Sequence, residues 1–179
     1  MVGPIGLYIK IAPGMDEYAA MAEFSIGYNT LDRFIATNDH DASLLRQIRK
    51  QAGCTQDCGI FQIDPSPRYN IPGPLAFDGI ARVSNVFNIE NDIVFNCLID
   101  NTRMEHKAVA RDRKYSQDKL LTKNGNHNAI RENINEVYLP TGDYWTVKGG
   151  SLAMFSNEKK LRQTIGVDRT AAIADAQNQ

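Results

Sequence analysis

The chain has 179 residues, with 20 Lys and Arg against 21 Asp and Glu and a formal net charge of −1. That length suits one ordinary domain with a core, and 42% hydrophobic with 23% charged residues is the balance of a soluble globular protein. Near-neutral charge excludes attraction of the whole molecule to nucleic acid or acidic membranes, so any such affinity must come from a local patch.

No apolar run approaches the roughly 20 residues of a spanning helix, and the opening MVGPIGLYIKIAPG lacks the regions of a secretory signal. With so few cysteines and no signal, synthesis in a reducing cytoplasm is expected. The cysteine count of 3 is odd, so at least one thiol is unpaired or pairs between chains.

In chain order, alternation of Ile5, Leu7, Ile9 and Ile11 predicts an N-terminal strand that ends at Pro13-Gly14. Residues 16–36 change to helical spacing, with Tyr18, Met21, Phe24, Tyr28, Leu31 and Ile35 on one side and Gly27 as a point of kinking or close packing. A second helix is expected with Asp41 as N-cap, Leu44, Leu45 and Ile48 inward and Gly53 as terminator. Residues 54–78 read as irregular apart from a strand at 59–64. Pro65, Pro67, Pro72 and Pro74 cannot donate ladder hydrogen bonds, so residues of about 64–78 read as an extended arm or loop.

The most apolar stretch, 79–100, alternates on both sides of Asn91-Asp92. It predicts a central hairpin with Val83, Phe87 and Ile89 on one strand and Ile93, Phe95, Cys97 and Ile99 on the other. Residues 101–126 are polar and basic, and Asn124-Gly125-Asn126 is a turn. Ile130, Ile134 and Val137 suggest a helix over 128–137, ended by Leu139-Pro140-Thr141-Gly142. Residues 144–148 and 151–155 flank Gly149-Gly150, the pattern of a tight hairpin. A short helix capped by Ser156 or Asn157 is expected to run to Thr164, and a weak one follows Asp168. Hairpins and helices without a βαβ rhythm predict a single α+β domain. Its antiparallel sheet is built from the hairpins at about 79–100 and 144–155 plus the N-terminal strand, packed by the long N-terminal helix and several short ones.

Three groups of residues carry candidate chemistry. Arg103, Lys107, Arg111, Arg113, Lys114, Lys119 and Lys123 stand against Glu105, Asp112 and Asp118, a local charge of +4. Such a strip suits phosphates or a charged partner, although it also suits a solvated face, and Tyr115 alone makes a poor stacking platform. Cys54 and Cys58, spaced C-x3-C, have no second pair to complete a zinc site, so no metal or cofactor is expected. Either one with His106 or His127 has the composition of a Cys–His nucleophile, but nothing local activates a thiolate.

The run Cys58-Gly59-Ile60-Phe61-Gln62-Ile63-Asp64 is similar to a short motif of lysozymes and lytic transglycosylases, with Glu23 as the matching acid. The segment between them is longer than in that family and Phe24 follows the acid, so the likeness is set aside.

The expectation drawn from these features is a structural or assembly subunit that contacts copies of itself or other subunits, rather than an enzyme. A bacteriophage or viral particle component is its specific form. The alternatives are a nucleic-acid-associated protein using 103–123 and a small Cys/His hydrolase. No membrane partner is expected.

Overall fold

The computed structural model describes residues 1–53, 59–157 and 160–167. In place of an N-terminal strand, Ile5–Tyr8 form a 3-10 turn, followed by the two-residue strand β1 (Lys10–Ile11). The expected long helix is divided. A 3-10 turn at Asp16–Tyr18 leads into α1 (Ala19–Ile26), and Gly27 at φ +84° separates it from α2 (Tyr28–Leu31). A residue with a Cβ rarely adopts that φ, so glycine sets the break. The segment then extends as β2 (Phe34–Ala36).

Helix α3 (Asp39–Gln51) is capped by Asn38, whose side chain accepts from the Asp41 amide at 2.7 Å, so the cap lies three residues before the expected Asp41. Ala42 and Leu45 are its buried residues, whereas Leu44 and Ile48 are exposed. β3 (Ile60–Gln62) pairs parallel to β2. Residues 65–78 carry no strand or helix.

The expected central hairpin is absent. β4 (Ile80–Arg82) gives way to a helical turn α4 (Val83–Val86), then to β5 (Phe87–Asn88), which pairs with β1, and to α5 (Asp92–Thr102). Asn91 is an N-cap rather than a hairpin turn, its side chain accepting from the Val94 amide at 3.1 Å. Alternation misled here because Val94 and Leu98, on the supposed outer face, are as apolar as Phe95 and Cys97. All four are buried, and a run apolar on every side suits a buried helix as well as a strand.

The basic segment forms regular elements. It contains β6 (Lys107–Ala110), α6 (Arg113–Leu120) and β7 (Leu121–Asn124), which forms a hairpin with β8 (His127–Ile130) around the expected turn. Residues 128–137 are not helical, since Glu132 and Asn133 sit at φ +58° and +56° between β8 and β9 (Glu136–Tyr138). The hairpin of β10 (Tyr144–Lys148) and β11 (Ser151–Phe155) forms in the expected register, with Lys148 opposite Ser151. Ser156, Asn157 and residues 160–164 are not helical. Cys54, Cys58 and the segment after Asp168 lie outside the described residues.

The molecule is α+β. Its main sheet has five strands in the order β11-β10-β9-β6-β4, antiparallel throughout except for the parallel β6–β9 pair. Alternation along these strands feeds two cores. Ala81, Val109 and Tyr138 join one that contains Met21, Ala22, Val83 and the apolar side of α5. Ile80, Ala108, Ala110, Val137 and Trp145 join Leu120 of α6 in the other. Each face of the sheet is thus closed by helices over β6 and β9, leaving the β11 end as a margin.

Candidate interaction surfaces

The two margins of the sheet differ. β4 is three residues long and fully buried, and its Arg82 guanidinium donates to the carbonyls of Gly73 (3.0 Å), Glu132 (3.1 Å) and Glu105. Chain is therefore tied across that side. β11 hydrogen-bonds only to β10 among the described residues. Its sequence, SLAMF, has no charge and no proline, and Leu152 and Met154 are 39% and 41% exposed. Beside Met154 runs a groove of about 370 Å³ lined by Arg111, Arg113, Leu139, Pro140 and Asp143.

On the opposite face, register places aromatic rings side by side across three strands. Tyr138 stacks on Tyr144 at 5.0 Å, and Tyr144 on Phe155 at 4.8 Å with 10° between the ring planes. Phe24 of α1 meets Tyr138 edge-on at 6.0 Å, an arrangement favoured by the ring quadrupoles. Lys148 lies 4.7 Å over the Phe155 ring. The ladder therefore runs from the core to the free margin and stiffens it. Burial raises the pKa of Tyr144 and, together with the hydrogen bond to Glu136, that of Tyr138, so both rings are neutral phenols at ordinary pH.

The seven basic residues are dispersed rather than collected. Arg103 ends α5 in the left-handed region at φ +52° and is exposed. Lys107 is half-buried, donates to the Ser25 carbonyl at 2.7 Å and lies 3.9 Å from Glu136. Burial lowers its pKa despite that carboxylate. Arg111 is clamped by both oxygens of Glu17, which the guanidinium holds below the usual carboxylate range. Arg113, Lys114 and Lys119 are exposed on α6 and Lys123 on β7, and none makes an ion pair among the described residues.

Of the remaining candidates Cys54 and Cys58 lie outside the described residues, and the described ones do not converge. Cys97 is fully buried in α5, where burial pushes its thiol pKa up to about 12, the reverse of an activated nucleophile. The His106 ring lies 2.9 Å from the Asn133 carbonyl and 3.3 Å from Glu105, while His127 is exposed on β8. Glu23 is wholly buried, with its carboxylate occupied by the backbone of Thr164 and Ile165. No group of three or more His, Cys, Asp or Glu side chains placed to hold a metal occurs among the described residues.

Sequence reading located the strand carrying Leu152 and Met154 but did not single them out. The available signal was a closing strand apolar on both faces, with no charge or proline to blunt its edge.

No protein-family model matches the chain, and no curated protein matches it in sequence. Its fold is nevertheless that of SMC hinge domains. The S. pombe Smc5/6 hinge domain superposes over 93% of this chain and 61% of its own, at a TM-score of 0.62 and 18% identity. The Pyrococcus furiosus Smc hinge domain with an extended coiled coil covers 99% of this chain and 55% of its own, at a TM-score of 0.55 and 8% identity. An asymmetric dimer of the Geobacillus stearothermophilus SMC hinge domain covers 88% and 60%, at 0.50 and 11%. This chain thus spans between 55% and 61% of the length of these structures. At such identities the likeness establishes the fold.

Proposed function

We propose that this chain is a self-association domain that joins two copies of itself, after the manner of a hinge. The observation that carries the proposal is the margin of β11, which pairs with no strand beyond β10 among the described residues. Sheet edges in monomeric proteins are blunted by lysine, proline, bulges, very short strands or a covering segment. β11 is five residues long, regular and uncharged, presents Leu152 and Met154, and is braced from behind by the Tyr138–Tyr144–Phe155 ladder. An open strand edge is completed by another strand, and a second copy of the chain always has one to offer.

The similarity to an SMC hinge described as a dimer supports this reading. None of the similar structures reported above is a phage or viral component, and the proposal does not extend to a virion. A stable dimer buries upwards of about 1,000 Å² in total, more than one strand supplies, so groove residues such as Pro140 would contribute.

Light scattering across a concentration series tests the proposal. Dimers at micromolar concentration are expected, and Leu152→Lys with Met154→Lys should raise the dissociation constant at least about tenfold, since lysines brought together from the two copies oppose pairing. A unit that remains monomeric at high concentration overturns it.

A second reading rests on α6. Arg113, Lys114 and Lys119, with Lys123 on the following strand, keep their charges free of ion pairs among the described residues, as a phosphate-binding face would.

A further inference from the structure

The geometry points to one particular pairing: we propose that two copies associate through antiparallel β11 strands about a two-fold axis at Ala153. This rests on the self-association reading and specifies its surface and register.

The register follows from the hairpin. Lys148 and Ser151 flank a two-residue connection, and in such hairpins the flanking residues form a hydrogen-bonded pair. Pairs alternate along an antiparallel ladder, so Thr146 with Ala153 and Tyr144 with Phe155 are also hydrogen-bonded pairs. The amide and carbonyl groups of Ser151, Ala153 and Phe155 therefore point toward β10. Those of Leu152 and Met154 point out of the sheet edge and make no backbone hydrogen bond among the described residues, while β8 stands beside the turn end of the hairpin, where the Asn128 amide donates to the Gly150 carbonyl at 2.9 Å.

A two-fold axis at Ala153 places Leu152 opposite the partner's Met154, and Met154 opposite the partner's Leu152. Every outward amide and carbonyl then finds its complement. An axis at Leu152 or Met154 would leave part of β11 overhanging the partner strand. A one-residue slip would set outward groups against residues whose own groups face inward.

Side chains agree with the same register. Leu152 and Met154, among the exposed large apolar residues of the chain, would cover each other across the axis on one face. On the other face Ala153 would oppose the partner's Ala153, a small residue beside the Phe155 rings that end each aromatic ladder. The interface is isologous, the same patch on both copies, and closes as a dimer rather than growing into a fibre.

The test is disulfide formation by Ala153→Cys in a chain whose Cys54 and Cys58 are replaced by serine. Directly opposed residues of a non-hydrogen-bonded pair have Cα atoms about 4.5 Å apart, within the range a disulfide spans. Mild oxidation should convert most of the protein to a covalent dimer linked at position 153. Ser151→Cys, opposed to the partner's Phe155, should crosslink little. Should the variant fail to fold, hydrogen exchange on the unmodified chain gives a second measurement: the Leu152 and Met154 amides should gain protection with concentration.

A dimer by light scattering with no 153–153 linkage, or without concentration-dependent protection of those amides, overturns this register and leaves self-association standing. A monomer at all concentrations overturns both.

Discussion

The carboxylate of Glu23 holds the backbone of Thr164, 141 positions further along the chain. It accepts the Thr164 amide at 2.8 Å, the Thr164 hydroxyl at 2.5 Å and the Ile165 amide at 2.9 Å. One buried side chain of α1 thus fixes the segment that returns after the β10–β11 hairpin, and Ile165 packs into the core beside it. Glu23→Ala would leave those donors without an acceptor. The expected cost is about 3 kcal/mol in urea unfolding, with faster hydrogen exchange at residues 160–167. Glu23→Gln, which keeps one acceptor oxygen, should lose less.

Asn96 performs the corresponding task for the proline-rich arm. From the buried side of α5 its Oδ1 accepts the Tyr69 amide at 2.9 Å, and its Nδ2 donates to the carbonyls of Ser66 and Pro67 at 3.2 and 2.9 Å. Arg68 lies 3.6 Å over the Phe95 ring. The arm is therefore held against α5 of its own chain. Asn96→Leu should cost about 2 kcal/mol and make the chain more susceptible to trypsin after Arg68, read by mass spectrometry of the fragments.

Cys97 predicts an alkaline limit. Burial raises its folded-state pKa from 9.0 to about 12, so above pH 9 the unfolded chain releases a proton that the folded chain keeps. Its contribution to stability is intact below about pH 9 and is lost as pH climbs toward 12, by at most about 1.4 kcal/mol per pH unit. Tyr138, also raised by burial, acts in the same direction at higher pH. Lys107, lowered by burial, acts in the opposite direction between its folded pKa and its ordinary one. Denaturant unfolding between pH 8 and 10.5 should show the decline, and Cys97→Ala should show a shallower one from a lower starting stability.

The α6 reading is tested by salt. If this helix meets nucleic acid, the logarithm of the association constant for a duplex DNA should fall linearly with that of salt. Each phosphate neutralised adds about 0.9 to the slope. Arg113→Gln with Lys114→Gln should then flatten it by nearly two such increments. Binding too weak to detect at low salt, or an unchanged slope in the double variant, removes this reading.

Local chemistry was legible wherever a few neighbouring residues decide the outcome. Gly149-Gly150 specifies the β10–β11 turn and Gly27 the helix break, because positive φ is a local property. Asn124-Gly125-Asn126 likewise gives a turn. The misreadings fall where two periods fit the same residues. Val83 to Ile99 alternates, yet Val86, Val94 and Leu98 make intervening positions apolar as well. Ile130, Ile134 and Val137 match a helical stripe, yet they reach the second core from strands and a turn. β6 was hidden because Ala108-Val109-Ala110 is a short apolar run between charged residues, too brief to show a period.

The sequence by itself determined an α+β chain of near-neutral charge, its tightest turns, and a closing strand apolar on both sides. Only the tertiary structure decided that β11 is a margin while β4 is covered, because strand order arises from pairings such as β6 with β9 between distant segments. It also decided that Lys107 and Arg111 are engaged by Ser25, Glu136 and Glu17, contacts made across the fold. A residue's type states which partners it can accept, and packing states which it has. The exposed edge of β11 is a property of the second kind.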